Sequence, residues 1–116
     1  MTSSIPCNRG DVVLVPFKFA DNDNIKRRPG IVVSVSAYHG TRADAIFVGL
    51  TTQGLNRQFF GDYVIRDWRA AGLPRQSKAK GVIQTIDRSV VVQRIGTLTP
   101  EDMTRLEATI RAILGL

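Results

Sequence analysis

Lys26-Arg27-Arg28-Pro29-Gly30-Ile31-Val32-Val33-Ser34-Val35 passes from three consecutive cations, across a proline and a glycine, into a β-branched apolar run. The apolar part is short and rich in residues that suit a pleated surface, so residues 31–35 read as a strand. Residues 46–50, Ile-Phe-Val-Gly-Leu, read the same way, and near-continuous apolarity places both strands in the middle of a sheet. Ser36, Gly40 and Thr41 favour a turn between them. One central strand therefore opens beneath a cation cluster and the next closes on Thr51-Thr52-Gln53.

Working outward, Asp11-Val12-Val13-Leu14-Val15-Pro16-Phe17 is a first strand that Pro16 confines to an edge or a strand end. Residues 19–28, with Asp21-Asn22-Asp23-Asn24, have the composition of a mobile, exposed loop that carries the cation cluster at its far end. A fourth strand fits residues 58–65, where Phe60, Asp62 and Val64 share one face. Asp67-Trp68-Arg69-Ala70-Ala71-Gly72-Leu73-Pro74 predicts a short helical turn, capped by Asp67, ended by Gly72 and barred from continuing by Pro74. Two more strands fit residues 82–86 and 90–95, and Asp87-Arg88-Ser89 is short enough for a hairpin, so the two are expected to pair antiparallel.

Thr99-Pro100-Glu101-Asp102 marks a helix start: a capping threonine, proline at the first helical position and acids in the first turn. Met103, Leu106, Ile110, Ile113 and Leu114 then recur at helical spacing, and Gly115 stops the run. Many short strands and one terminal helix, at residues 99–114, predict a mainly β fold: a small barrel of bent antiparallel strands with a C-terminal α-helix. At 116 residues the chain suits one domain, which buries roughly two-thirds of its unfolded surface. Residues 1–8 are expected to be flexible.

Lys and Arg number 16 against 10 Asp and Glu, a net charge of +6 that favours encounter with polyanions. Cys7 is the sole cysteine, so neither an internal disulfide nor a zinc cluster can be built from this chain, and a reducing cytosol is the natural compartment. The first residues lack the apolar core of a signal peptide, and no segment approaches the roughly eighteen apolar residues of a membrane span. A soluble, cytoplasmic protein is expected.

With one cysteine, one histidine and no carboxylate pair at a ligand spacing, no metal site or cofactor is expected. The sole His39 excludes a two-histidine acid/base pair within the chain, and beside Gly40 in a loop it remains either a single proton donor or an exposed loop residue. Arg28 reads two ways. A planar guanidinium, restrained by Pro29, can clamp two phosphate oxygens, or it is a solubilising cation at the mouth of a strand. Thr51 and Thr52 are neutral hydroxyl donors for the same phosphate, or ordinary strand residues.

Farther along, Arg66, Arg69, Arg75, Lys78 and Lys80 stand against the single acid Asp67, an excess able to track a nucleic-acid backbone. Phe59, Phe60, Tyr63 and Trp68 lie in or beside that stretch, and aromatics among cations suit single-stranded nucleic acid, whose unpaired bases stack. Packing against the barrel is the competing reading for Trp68.

Arg9-Gly10-Asp11-Val12-Val13-Leu14-Val15-Pro16-Phe17, Lys26-Arg27-Arg28-Pro29-Gly30-Ile31-Val32-Val33-Ser34 and Leu50-Thr51-Thr52-Gln53, in that order and spacing, resemble the MazF/PemK-like toxins. The likeness continues through Asp67-Trp68-Arg69-Ala70-Ala71-Gly72-Leu73, Gln84-Thr85-Ile86-Asp87-Arg88-Ser89 and Ile95-Gly96-Thr97-Leu98-Thr99-Pro100-Glu101-Asp102. Each motif is a few residues long; together they span nearly the whole chain from Arg9. The resemblance implies an SH3-like barrel, a homodimer, and a metal-independent, sequence-selective endoribonuclease that cleaves single-stranded RNA and is neutralised by a cognate antitoxin protein. In that family the ribose 2′-OH attacks the adjacent phosphate, leaving a 2′,3′-cyclic phosphate and a 5′-OH.

Carried over by position, the resemblance implies Arg28 and Thr51 as catalytic residues. Lys26, Arg27, Thr52, Gln53, Lys78 and Lys80 are the expected RNA contacts, with His39 and Trp68 as accessory candidates. Relatives often carry Arg and Asp where this chain has Lys78-Ala79-Lys80-Gly81, so Lys80, or nearly as well Lys78, is expected to take the arginine's place. Two alternatives stay open. One is a topoisomerase-poisoning toxin of the CcdB type, which resembles its own relatives in a Trp-Gly-Ile terminus where this chain ends Leu114-Gly115-Leu116. The other is an RNA-binding barrel without cleavage.

Overall fold

The computed structural model describes residues 5–18 and 25–116. Six strands form one antiparallel sheet: β1 Asp11–Lys18, β2 Ile25–Val32, β3 Asp44–Thr51, β4 Tyr63–Val64, β5 Lys78–Asp87 and β6 Gln93–Thr97. They lie in the order β4-β5-β3-β2-β1-β6, so β2 and β3 are central, as the composition of their apolar runs predicts, although β2 ends at Val32 and leaves residues 33–35 of the expected strand outside it. A four-residue turn of helix, α1 Ser36–His39, joins β2 to β3, and α2 Pro100–Leu114 closes the described chain. Among the described residues no helix is long and apolar enough to cross a membrane.

Alternation in β1 sends side chains to both faces of the curled sheet. Val12 aligns with Ile31 and Val48 in one buried cluster that also takes Leu50, Ile65, Leu98 and Leu106. Val13, Val15 and Phe17 enter a second cluster with Val32, Phe47 and the buried Cys7. Cys7 is thus anchored, within the stretch expected to be flexible; residues 1–4 lie outside the described residues.

The sheet is a half-barrel with edges at β4 and β6. The turn after β4 bridges them: Ala71 N–H donates to Asp67 O, Leu73 N–H to Trp68 O, and Gly72 takes the left-handed φ of +83°. A Cβ at Gly96 in β6 would strike the Ala71 carbonyl, so this close approach of backbone to backbone requires glycine.

Helix α2 begins as its sequence marks it, Thr99 Oγ1 accepting from Asp102 N–H at 3.2 Å, and ends on Gly115 at φ +72°. Asp102 also reaches outside the helix. Its buried carboxylate accepts from Tyr63 Oη at 2.6 Å, Arg66 N at 3.0 Å and Asp67 N at 2.9 Å, tying α2 to the bridging turn. Burial pushes the carboxyl pKa up, and these bonds outweigh it, holding Asp102 below the usual carboxylate range. Burial and the same bond push the Tyr63 phenol up to about 12.

Three expectations are corrected. The cations Lys26, Arg27 and Arg28 lie inside β2, not in a loop ahead of it, because Ile25–Arg28 pairs with Val15–Lys18 of β1; the rest of the expected loop, residues 19–24, is outside the described residues. The strand expected at 58–65 shrinks to Tyr63–Val64, because only those two residues pair in a ladder with β5. The last two strands do not form a hairpin: β5 pairs with β3 and β4, and β6 crosses to pair with β1. Asp87 Oδ1 accepts from Ser89 N–H and starts a single 3-10 turn, Arg88–Val90, which carries the chain across.

Candidate functional site

Pairing of β2 with β3 runs from Val32↔Phe47 to Gly30↔Gly49 and stops. Beyond that rung β2 continues against β1 alone, and β3 against β5 alone. Both prolines of these strands fall here: Pro29 pairs only with Leu14, and Pro16 sits beyond Leu14, the last residue of β1 that β6 reaches. Proline lacks an N–H, so it is tolerated where a strand has one neighbour instead of two. Phe17 lies across Gly30, where any side chain would collide with its ring.

A cleft of about 160 Å³ occupies the divergence, lined by Arg27, Arg28, Pro29, Leu50, Thr51, Thr52 and Ser77. Arg28 and Thr51 stand two residues beyond the last rung, on facing strands and on the same face of the sheet. Arg28 is half-buried, whereas Thr51 is buried and its Oγ1 accepts from Gln53 N–H at 3.1 Å. A hydroxyl that accepts one bond keeps its own hydrogen to donate. The cleft therefore offers a permanent cation and a neutral donor from opposite walls.

The other expected residues divide. Arg27 and Thr52 line the cleft; Gln53 borders it through its backbone N–H, and Lys26 is exposed on β2 opposite Phe17. Lys80 is half-buried on β5, within the register shift that separates the Leu50↔Ala79 and Val48↔Ile83 rungs. Trp68 is half-buried against the core, with the Arg69 guanidinium 4.5 Å from its ring centroid.

Lys78 departs from the expected RNA contact. It is 3% exposed and its ammonium donates to Gly54 O, Arg57 O and Asp62 Oδ2, each at 2.8 Å. Three bonds use all three donors of an ammonium, so none is left for a phosphate. The sequence offers no local signal for this role, because the paired acid lies sixteen residues upstream.

His39 also departs from the site. It sits at the opposite end of the β2–β3 ladder, where the Ser34 hydroxyl meets His39 Nε2 at 2.6 Å and accepts from Ile46 N–H at 2.9 Å. Thr51 lies five residue steps along β3 from Ile46, about 17 Å of strand. Burial, and then the Arg88 guanidinium, push His39 below the usual imidazole range, which favours its neutral form.

Ser77 is the lining residue that sequence reading missed. It is buried where the chain enters β5, its Oγ donating to Arg75 O and its carbonyl accepting from Ile65 N–H. A serine after Arg75-Gln76 carries no pattern that would single it out.

Known folds resemble this one closely. An endoribonuclease in complex with its cognate antitoxin, from a mycobacterial species, superposes with a TM-score of 0.76 at 22% identity, covering 94% of this chain and 95% of that one. MazF from Deinococcus radiodurans gives 0.76 at 18% identity over 98% and 100%. The Mycobacterium tuberculosis toxin MazF-mt6 gives 0.72 at 17% identity over 91% and 97%. At these identities the likeness establishes the fold. By sequence alone, no curated protein matches significantly. The family model of PemK-like, MazF-like toxins of type II toxin-antitoxin systems matches residues 8–114, almost the entire chain, and to that family this chain belongs.

Proposed function

We propose that this chain is the toxin of a type II toxin-antitoxin system and acts as a metal-independent, sequence-selective endoribonuclease on single-stranded RNA in the cytoplasm. One observation carries the reading: Arg28 and Thr51 line one cleft, where β2 and β3 part. The family match supports it, as does a structurally similar endoribonuclease that binds a cognate antitoxin.

In the proposed reaction the ribose 2′-oxygen bonds to the adjacent phosphorus, and the P–O5′ bond breaks. The 2′-OH loses a proton and the departing O5′ gains one, so the products are a 2′,3′-cyclic phosphate and a 5′-OH, with no water consumed. Between them lies a pentacovalent phosphorane with an extra negative charge on its oxygens. A guanidinium stays protonated at neutral pH and is a poor resting base, so Arg28 acts as an electrostatic clamp on those oxygens. Thr51 donates its hydroxyl to the same oxygens, held in place by the Gln53 N–H that it accepts.

RNA is required because DNA lacks the attacking atom. Arg27 and Thr52, which line the cleft, contact the RNA backbone in this reading, with Lys26, Gln53 and Lys80 as further RNA contacts. The active form is a homodimer, and the cognate antitoxin inhibits by covering the basic cleft.

The test is digestion of a long single-stranded RNA by the purified protein with EDTA present, with cut sites mapped and end groups identified. Discrete cuts bearing 2′,3′-cyclic phosphate and 5′-OH ends are expected. Uncut RNA, or cutting that EDTA abolishes, would overturn the reading.

A further inference from the structure

Residues 54–62 leave β3 straight after the cleft and return to the sheet at β4. The loop exposes two adjacent aromatics, Phe59 at 60% and Phe60 at 85%. Phenylalanine has no polar atom to justify such exposure, and side chains of this size are ordinarily buried.

This loop is fastened. Besides the Lys78 bonds to Gly54, Arg57 and Asp62, the Asp62 carboxylate accepts from Phe59 N–H at 3.3 Å and the Asp62 carbonyl from Gln58 Nε2 at 2.7 Å. Lys78 stands directly opposite Thr51 in the β3–β5 ladder, so the loop is anchored at the cross-strand neighbour of the cleft threonine. The ammonium lies 5.9 Å from the Phe59 ring centroid and the Arg57 guanidinium 6.0 Å.

Chemistry favours a nucleic-acid occupant. The 54–62 loop carries one cation, Arg57, and one acid, Asp62, which the buried Lys78 neutralises at 2.8 Å. Exposed rings beside an arginine, continuous with a phosphate-sized cleft, match a strand whose bases are unpaired and whose backbone is anionic. Resting on the ribonuclease reading, we infer that the 54–62 loop is the base-binding lip of the cleft. Phe59 and Phe60 stack the nucleobases beside the scissile phosphate, and Arg57 takes the neighbouring phosphate.

The experiment uses a short single-stranded RNA spanning one mapped cut site, made non-cleavable by a 2′-deoxy nucleotide there, and a matched set with an abasic nucleotide at each flanking position. Affinities are measured by fluorescence anisotropy for the wild type, Phe59→Ala and Phe60→Ala. Each variant is expected to bind about 5- to 100-fold more weakly, with an unchanged melting temperature because both rings are exposed. An abasic nucleotide at the stacked position weakens the wild type by a similar factor and adds little to the matching variant's loss.

Wild-type affinity in both variants would overturn the inference, as would losses that simply multiply at every abasic position. Unchanged RNA affinity with lost self-association or lost antitoxin binding would assign the rings to a protein interface instead. The ribonuclease reading fails separately, if the wild type never cuts all-ribose RNA; the same abasic cycle, run on a short single-stranded RNA selected by its binding to the wild type, then still decides the lip.

Discussion

The two ends of the β2–β3 ladder hold similar residues and treat them differently. At one end Ser34, His39 and Arg88 are bonded inward. The hydroxyl meets His39 Nε2, and the guanidinium donates to the carbonyls of His39 at 3.0 Å, Arg42 at 2.6 Å and Ala43 at 3.1 Å. At the other end Arg28 and Thr51 line an open cleft of about 160 Å³. An arginine and a hydroxyl beside a strand are therefore not a site in themselves. What distinguishes the two ends is whether the strands stay together: Val33 N–H still bonds Ile46 O at the closed end, whereas past Gly30↔Gly49 β2 and β3 each pair with other strands.

The largest effect that sharpens this contrast is at Thr51. Thr51→Val removes a donor aimed at the developing phosphorane charge, and kcat should fall about 100-fold while the protein stays folded. Single-turnover cleavage of a labelled RNA measures it; a threefold loss or less would make the hydroxyl a spectator.

Next is Asp102, which ties α2 to β4 and the bridging turn. Asp102→Asn replaces a charged acceptor with a neutral amide facing four N–H or O–H donors, and should cost about 2–3 kcal/mol in urea unfolding. Its folded pKa is depressed, so its contribution is full above the carboxylate's ordinary value and is lost as pH falls through the depressed one. The acid limb of the wild-type stability curve should therefore be steeper than that of Asp102→Asn. Parallel limbs would contradict the account.

The smallest effect is at His39. Its folded pKa is depressed as well, so the unfolded chain binds the proton more readily, and stability declines as pH drops below the ordinary imidazole value of about 6.5. His39→Gln should flatten that decline, and RNA cleavage at pH 8 should match the wild type. A cleavage defect at pH 8 would return His39 to the chemistry.

Much of this architecture is written locally in the chain. Thr99-Pro100 and Gly115 bound α2 because caps depend on a few adjacent residues, and the apolar runs of β2 and β3 are central because both their faces are covered. The two cleft residues were legible as a cation before a proline and as threonines after a strand, although only the split of the ladder tells them from their counterparts at the closed end. Long-range pairing was not legible. Val82-Ile83-Gln84-Thr85-Ile86 and Val90-Val91-Val92-Gln93-Arg94-Ile95 look like a hairpin in sequence, yet β3 and β1 are the partners they find. Alternation around Phe59 and Phe60 looks like a strand, yet no neighbouring strand pairs with them. Lys78 counts as a surface cation until Asp62 and two carbonyls, distant in sequence, surround its ammonium.

The central claim is that the open end of the ladder, and not the closed end, cleaves RNA. Arg28→Ala and Arg88→Ala, each verified as folded by circular dichroism, should be compared in one single-turnover assay on the same single-stranded RNA. The account predicts that Arg28→Ala loses about 100- to 1000-fold in rate, whereas Arg88→Ala cuts at the wild-type rate and is only easier to unfold. Wild-type cleavage by Arg28→Ala would contradict it.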